Sequence, residues 1–194
     1  MSREMNRNEI LGRFQIGAVT EGYGNGHIND TYLVTMPRYI LQRINTSIFR
    51  NPEELMENIE NVTAFLREKL KRDGGDFERG TLTVVPTVDG RRYYKVDDEN
   101  VFRVYRFVEG TKTIESSKTP EDLYEAGVGF GHFQKLLADF PVEKLHETIM
   151  DFHHTPKRIE ALRQAIREDK AGRADSGRAE IDFALENASW AGSG

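Results

Sequence analysis

No cysteine occurs in the sequence, which excludes disulfides and thiolate metal sites and accords with a reducing compartment. No apolar run reaches the roughly 18 residues a membrane-spanning helix needs, so none is expected. The opening MSREMNRNEI has no apolar segment after its charges, so no secretory leader is expected and the cytoplasm is the expected location. Positive charge is also in deficit: 27 Lys and Arg stand against 32 Asp and Glu, a formal net charge of −5. A nucleic-acid surface needs the opposite balance, whereas one anionic small ligand at a local site remains open. Internal repeats and low-complexity tracts are absent.

What is present suits a packed domain. Eleven Phe and seven Tyr supply large groups for a core, so the chain does not read as disordered. The fold class expected is α+β. Phe14, Ile16 and Ala18 alternate as in a half-buried strand, and a glycine-rich stretch follows from Gly22 to His27. Residues 31–35 and 38–44 read as two further strands, close enough in sequence to form an antiparallel meander. Asn51, Pro52 and Glu54 then carry N-terminal helix chemistry, and Leu55, Ile59, Val62, Leu66 and Leu70 recur on one face. Asp73-Gly74-Gly75 should end that helix. Strands are expected at 81–85, at 92–94 after an Asp89-Gly90 hairpin turn, and at 101–108. In the last, Phe102, Val104, Arg106 and Val108 share one face, and Val101, Arg103, Tyr105 and Phe107 the other.

After Gly110 only helices are expected. Thr119-Pro120 opens one with a stripe of Leu123, Phe130, Phe133 and Leu137; Thr155-Pro156 opens a second; a third spans 178–188. The expected division is a sheet lobe over 10–109, a helical part over 110–188 and a disordered tail over 189–194.

Gly24-Asn25-Gly26 between two strands has two readings. It is a tight hairpin, since Asn-Gly is a common turn signal, or a loop whose backbone N–H groups lie over phosphates. A Walker-type loop is excluded, because no Gly-Lys-Ser/Thr follows. His146, His153 and His154 lack the spacing of a helical metal pair. No Gly-x-Ser-x-Gly elbow occurs, and Asp97-Asp98-Glu99 reads as a polar turn.

Three stretches carry a resemblance: Tyr23-Gly24-Asn25-Gly26-His27-Ile28-Asn29-Asp30-Thr31-Tyr32, Tyr39-Ile40-Leu41-Gln42-Arg43-Ile44-Asn45 and Asp151-Phe152-His153-His154-Thr155-Pro156-Lys157-Arg158. In this order they resemble the aminoglycoside phosphotransferase and choline kinase superfamily over roughly residues 10–187. The likeness is nearest to its N-acetylhexosamine 1-kinase branch, sometimes labelled "mucin desulfatase". It implies a protein-kinase-like N-lobe followed by the first helices of a helical C-lobe. It also implies ATP, Mg²⁺ and transfer of the γ-phosphate to a hydroxyl of a small sugar.

By that resemblance, the backbone of Gly24, Asn25 and Gly26 covers the phosphates. His27 faces the sugar and the transferred phosphate, or else is a solvated turn histidine. Arg43 stands near where kinases carry a phosphate-binding Lys on the third strand, and Gln42 beside it points to the other face. The alternative for Arg43 is a solvated strand cation. Its expected partner is a glutamate on the following helix, among Glu53, Glu57 and Glu60, with Glu57 closest to the buried stripe. Phe107, Val108 and Glu109 would form the hinge that meets adenine. The superfamily's His-x-Asp with an Asn five residues after the Asp, and its later metal-binding Asp, do not occur in this sequence. The resemblance places the catalytic Asp and Asn beyond Gly194, the last residue of the sequence. No catalytic or metal residue is therefore assigned, and the chain alone is expected to be inactive, as a truncated form of a longer enzyme. Its helices would expose an apolar face that promotes self-association. The rival expectation is a non-catalytic module that binds nucleotide or a partner protein.

Overall fold

The structure is a computed structural model that describes residues 6–16, 20–23, 28–35, 37–111, 114, 116 and 119–192. It divides into two compact units between Thr148 and Ile149. The architecture is α+β, as the sequence predicts.

The first unit is built on an antiparallel sheet of short strands: β1 (Thr20–Gly22), β2 (Asp30–Val34), β3 (Tyr39–Ile44), β4 (Val84–Val85), β5 (Tyr94–Lys95) and β6 (Val101–Arg106). Their order is β1-β2-β3-β6-β4, with β5 also paired to β6. The predicted hairpin between 81–85 and 92–94 does not form as such, because β4 and β5 each pair with β6 instead. Gly90 does make the tight turn, at φ +81°.

Helices lie on both faces. α1 (Arg7–Gly12) begins at Asn6, whose side chain accepts the Asn8 N–H. Of the expected strand through Phe14, Ile16 and Ala18, the first two instead lie in the turn after α1, and Ala18 lies outside the described residues. Both residues are buried with Ile10 and Leu11 against Val34, Leu41, Phe102 and Val104. Alternation over so few positions does not define a strand period. α2 (Pro52–Arg72) starts as its sequence dictates, with Asn51 accepting the Glu54 N–H and Pro52 at the first position. It stops at Asp73 because Gly74 takes φ +73°, a conformation glycine adopts without strain. Leu55 and Met56 pack it on Ile44 and Val101, the face opposite α1. A short helix, α3 (Phe77–Gly80), follows.

α4 (Pro120–Leu137) has the full capping box, Thr119 with Asp122. Its predicted stripe is not buried: Phe130 is 71% exposed, and Leu123 and Phe133 are exposed too. Only its C-terminal end is tied to α2. There Lys69 pairs with Asp139 and donates to the Leu136 carbonyl at 2.9 Å, while the Phe65 and Phe140 rings meet edge-on at 5.2 Å. α4 lies within the first compact unit, which runs to Thr148.

The second unit holds α5 (Thr155–Glu168), capped by His154 Nδ1, and α6 (Arg178–Glu186). A 3₁₀ turn covers Ala188–Gly192, overlapping the segment 189–194 expected as a tail. Its last two residues, Ser193 and Gly194, lie outside the described residues. Among the described residues, no helix is long and apolar enough to cross a membrane.

Candidate functional site

The two sheet faces follow from strand alternation and register. On β3, Tyr39, Leu41 and Arg43 point toward α1, and Ile40, Gln42 and Ile44 toward α2. Register sets Thr31 of β2 beside Gln42 of β3, and Gln42 beside Arg103 of β6. These three make a polar row across the α2 face. The Gln42 amide donates to Thr31 Oγ1 at 3.0 Å, and its oxygen accepts from Arg103 Nε at 3.0 Å and Nη2 at 2.8 Å. Arg103 is only 8% exposed, and burial lowers its pKa from the usual guanidinium value. Its Nη1 meets only Met56 Sδ, at 3.9 Å. Beside it, burial pushes Tyr105 up to about 12, opposed by the adjacent Arg103 charge.

The same face curls at its far side. Tyr23, whose N–H binds the Thr31 carbonyl, meets Phe107 edge-on with ring centroids 5.9 Å apart. They directly follow β1 and β6, which have two strands between them, a separation of about 14 Å in a flat sheet. The two rings thus meet across the ends of the intervening strands. Phe107 is fixed from the other side, its N–H bonded to the Arg38 carbonyl at 3.1 Å and the Arg38 guanidinium 3.7 Å from its ring. After it, Val108 accepts from the Thr111 hydroxyl at 2.9 Å, and Glu109 is held by Arg38 on its carboxylate and Arg79 on its carbonyl. Gly110 at φ +69° turns the chain away. The segment 107–109 is thus a braced strand exit.

The remaining predicted residues fall as follows. Gly24, Asn25, Gly26 and His27 lie outside the described residues. So does Gly194, the position beyond which the catalytic Asp and Asn are expected. Arg43 faces α1, and its Nε donates to Asp30 at 2.7 Å. Glu57 points away from the sheet and pairs with His146 at 2.7 Å, next to Asn58, which holds the His146 backbone. The expected Arg43–Glu57 pair is therefore not formed, because the two side chains lie on opposite sides of the sheet. Glu60 pairs with Arg92. Among the described residues, no cluster of three His, Asp or Glu side chains could hold a metal ion.

Sequence reasoning missed the row of Thr31, Gln42 and Arg103. A signal existed: alternation places Arg103 on one face with Val101, Tyr105 and Phe107, a lone cation among large apolar groups. Its pairing to Gln42 depends on β3–β6 register across a long connection, which no local pattern reveals.

The model of the phosphotransferase enzyme family matches residues 19–191, and the chain belongs to that family. Among solved structures it is similar to spectinomycin phosphotransferase APH(9)-Ia, determined with ADP and spectinomycin. The TM-score is 0.52 at 13% identity, over 96% of this chain and 55% of that one. This likeness establishes the shared kinase-like fold. Amicoumacin kinase hAmiN, determined with AMP-PNP, Ca²⁺ and its antibiotic, matches at a TM-score of 0.47 and 14% identity, over 77% of this chain and 47% of that one. The chain thus spans about half the length of the solved relatives it matches.

Proposed function

We propose, from membership in the phosphotransferase enzyme family, that this chain supplies the nucleotide-binding lobe of an ATP-dependent small-molecule kinase. The observation that carries the reading is the α2 face of the sheet, where Tyr23 meets Phe107 and a buried polar row ends in a guanidinium. The adenine edge would meet the backbone of 107–109, and Gly24, Asn25 and Gly26 would cover the phosphates. A sheet cation, Arg43 or Arg103, would offset their charge. His27 would stand toward the acceptor. The acceptor class we favour is an N-acetylated hexosamine, on the resemblance of the stretches at 23–32, 39–45 and 151–158.

The reaction would move the γ-phosphoryl group from ATP to a sugar hydroxyl, releasing ADP and the hydroxyl proton. Its rate comes from positioning and charge neutralisation. The divalent ion that accompanies ATP in such reactions would screen the phosphate oxygens. The described residues offer no cluster to hold it, so no step here runs through it. No His-x-Asp occurs in the sequence, so the isolated chain should bind nucleotide weakly and turn none over.

Equilibrium titration of the purified chain with ATP and with adenosine tests this. Saturable binding of both, with competition by ADP, is the expected result, and absence of both would end the nucleotide reading. One feature favours the rival of a partner-binding module: the exposed apolar face of α4, with Leu123, Tyr124 and Phe130. That rival predicts concentration-dependent association in sedimentation and no response to ATP.

A further inference from the structure

We infer that the exposed face of α4 is a self-complementary docking surface, on which a second copy of this chain lays its own α4 antiparallel. The inference does not depend on the nucleotide reading, which ATP titration tests separately.

α4 exposes side chains that a helix usually buries. Leu123, Tyr124 and Phe130 are 65%, 70% and 71% exposed, and Phe133 is exposed as well. Leu123 and Phe130 are close to two full turns apart and so lie on one line of the helix, with Tyr124 on one flank and Phe133 on the other. Gly127 sits between them on that line. Glycine is among the poorest helix formers, yet α4 also carries Gly129 and Gly131. A Cβ added at any of the three would meet nothing within 4 Å. No described part of this chain therefore requires glycine there. What Gly127 offers is a gap in the apolar line, open to a side chain arriving from outside.

The occupant follows from the helix itself, because ring and gap lie on one element. In an antiparallel pair centred between Val128 and Gly129, the middle of α4, Phe130 of each copy stands level with Gly127 of the other. The same contact is then made twice, as a two-fold interface requires. Charge is arranged to match. Glu121, Asp122 and Glu125 occupy the N-terminal half of α4, and His132 and Lys135 its C-terminal half. An antiparallel second copy sets acid beside base at both ends and opposes the two helix dipoles, whereas a parallel copy sets like beside like. The four large side chains offer on the order of 400–500 Å² per copy. That is about half of the roughly 800 Å² per partner of a standard stable interface, so the dimer should be weak, dissociating in the micromolar range.

The test is sedimentation velocity of the purified chain from about 1 to about 100 μM, where a monomer–dimer equilibrium is expected. Gly127→Gln fills the gap, and Phe130→Gln removes the ring. Each should raise the dissociation constant at least about tenfold with an unchanged circular dichroism spectrum. Neither position supports the fold of the monomer, since both are open to solvent. Glu121→Lys combined with Glu125→Lys should weaken the dimer at low salt, and Lys135→Glu added to that pair should restore it. A chain that stays monomeric across the range overturns the inference. So does a dimer indifferent to both Gly127→Gln and Phe130→Gln, growth beyond a dimer, or failure of Lys135→Glu to restore association.

Discussion

The two faces of the sheet are made from the same strands and do different things. Toward α1, Leu11, Val34, Leu41 and Val104 are sealed from solvent, and polar groups stay at the rim, Arg43 with Asp30 among them. Toward α2, apolar packing by Leu55 and Met56 is interrupted by the row of Thr31, Gln42 and Arg103. A face built only for stability would not keep an arginine there, since a packed apolar side chain of similar volume serves as well or better. The contrast teaches that the α1 face is sealed by apolar packing while the α2 face keeps a buried polar row. The sharpest way to break that division is Leu41→Ala. It deletes a fully buried side chain from the α1 face and should cost about 2–5 kcal/mol in urea unfolding. ATP affinity of the folded fraction should be unchanged; a selective loss of ATP binding would show that the faces do not divide the work.

The next largest effect comes from Tyr105, on the α2 face. Burial raises its folded-state pKa to about 12, above the ordinary value near 10. The stability held by the neutral phenol is complete below about pH 10 and is lost as pH rises through about 12. Over that window the chain should lose on the order of 3 kcal/mol, and Tyr105→Phe should flatten the alkaline limb of a stability-against-pH curve. A limb that persists unchanged in the variant would remove Tyr105 as its cause.

Much of this was legible in the sequence where a local rule decides. Asn51-Pro52 and Thr119-Pro120 announced α2 and α4 through capping, and residues 101–107 announced both faces of β6 through alternation. Phe14 and Ile16 misled because a turn packed on a core repeats the spacing of a strand over two residues. α4 misled differently. Its stripe of Leu123, Phe130 and Phe133 is a burial pattern, but burial needs a covering surface, which periodicity cannot supply. The site was the least legible part. Arg43 and Glu57 were matched by residue type and proximity in sequence, while the structure separates them by the thickness of the sheet. Arg103 and Gln42 lie 61 residues apart and meet only through register.

A third test acts within the row. Gln42→Leu removes the only oxygen that Arg103 Nε and Nη2 share, and leaves a buried guanidinium with sulfur alone. A loss of about 2 kcal/mol is expected, because the cost is that of stranding donors rather than of one bond. Adding tripolyphosphate should restore part of the melting temperature in this variant, since an anion can replace the lost acceptor. No response to the anion would mean that Arg103 is closed to ligands.

The smallest effect is the most discriminating. Arg43 is 41% exposed at its side chain, and its partner Asp30 is 49% exposed. An exposed pair of this kind contributes about 0.2–1 kcal/mol, and salt screens much of it. Arg43→Ala should therefore shift the unfolding midpoint only slightly, and the shift should vanish at about 1 M salt, where screening acts over about 3 Å. The result matters because two arginines, on β3 and β6, compete for one role. Were Arg43 the nucleotide cation, its removal would cost affinity far beyond its cost in stability. If it is only a rim pair, both changes stay small and both fade together as salt is added. A stability change and an affinity change that part company at Arg43 would move the site to the cavity beside it, lined by Asn29, Asp30, Asn45 and Ser47.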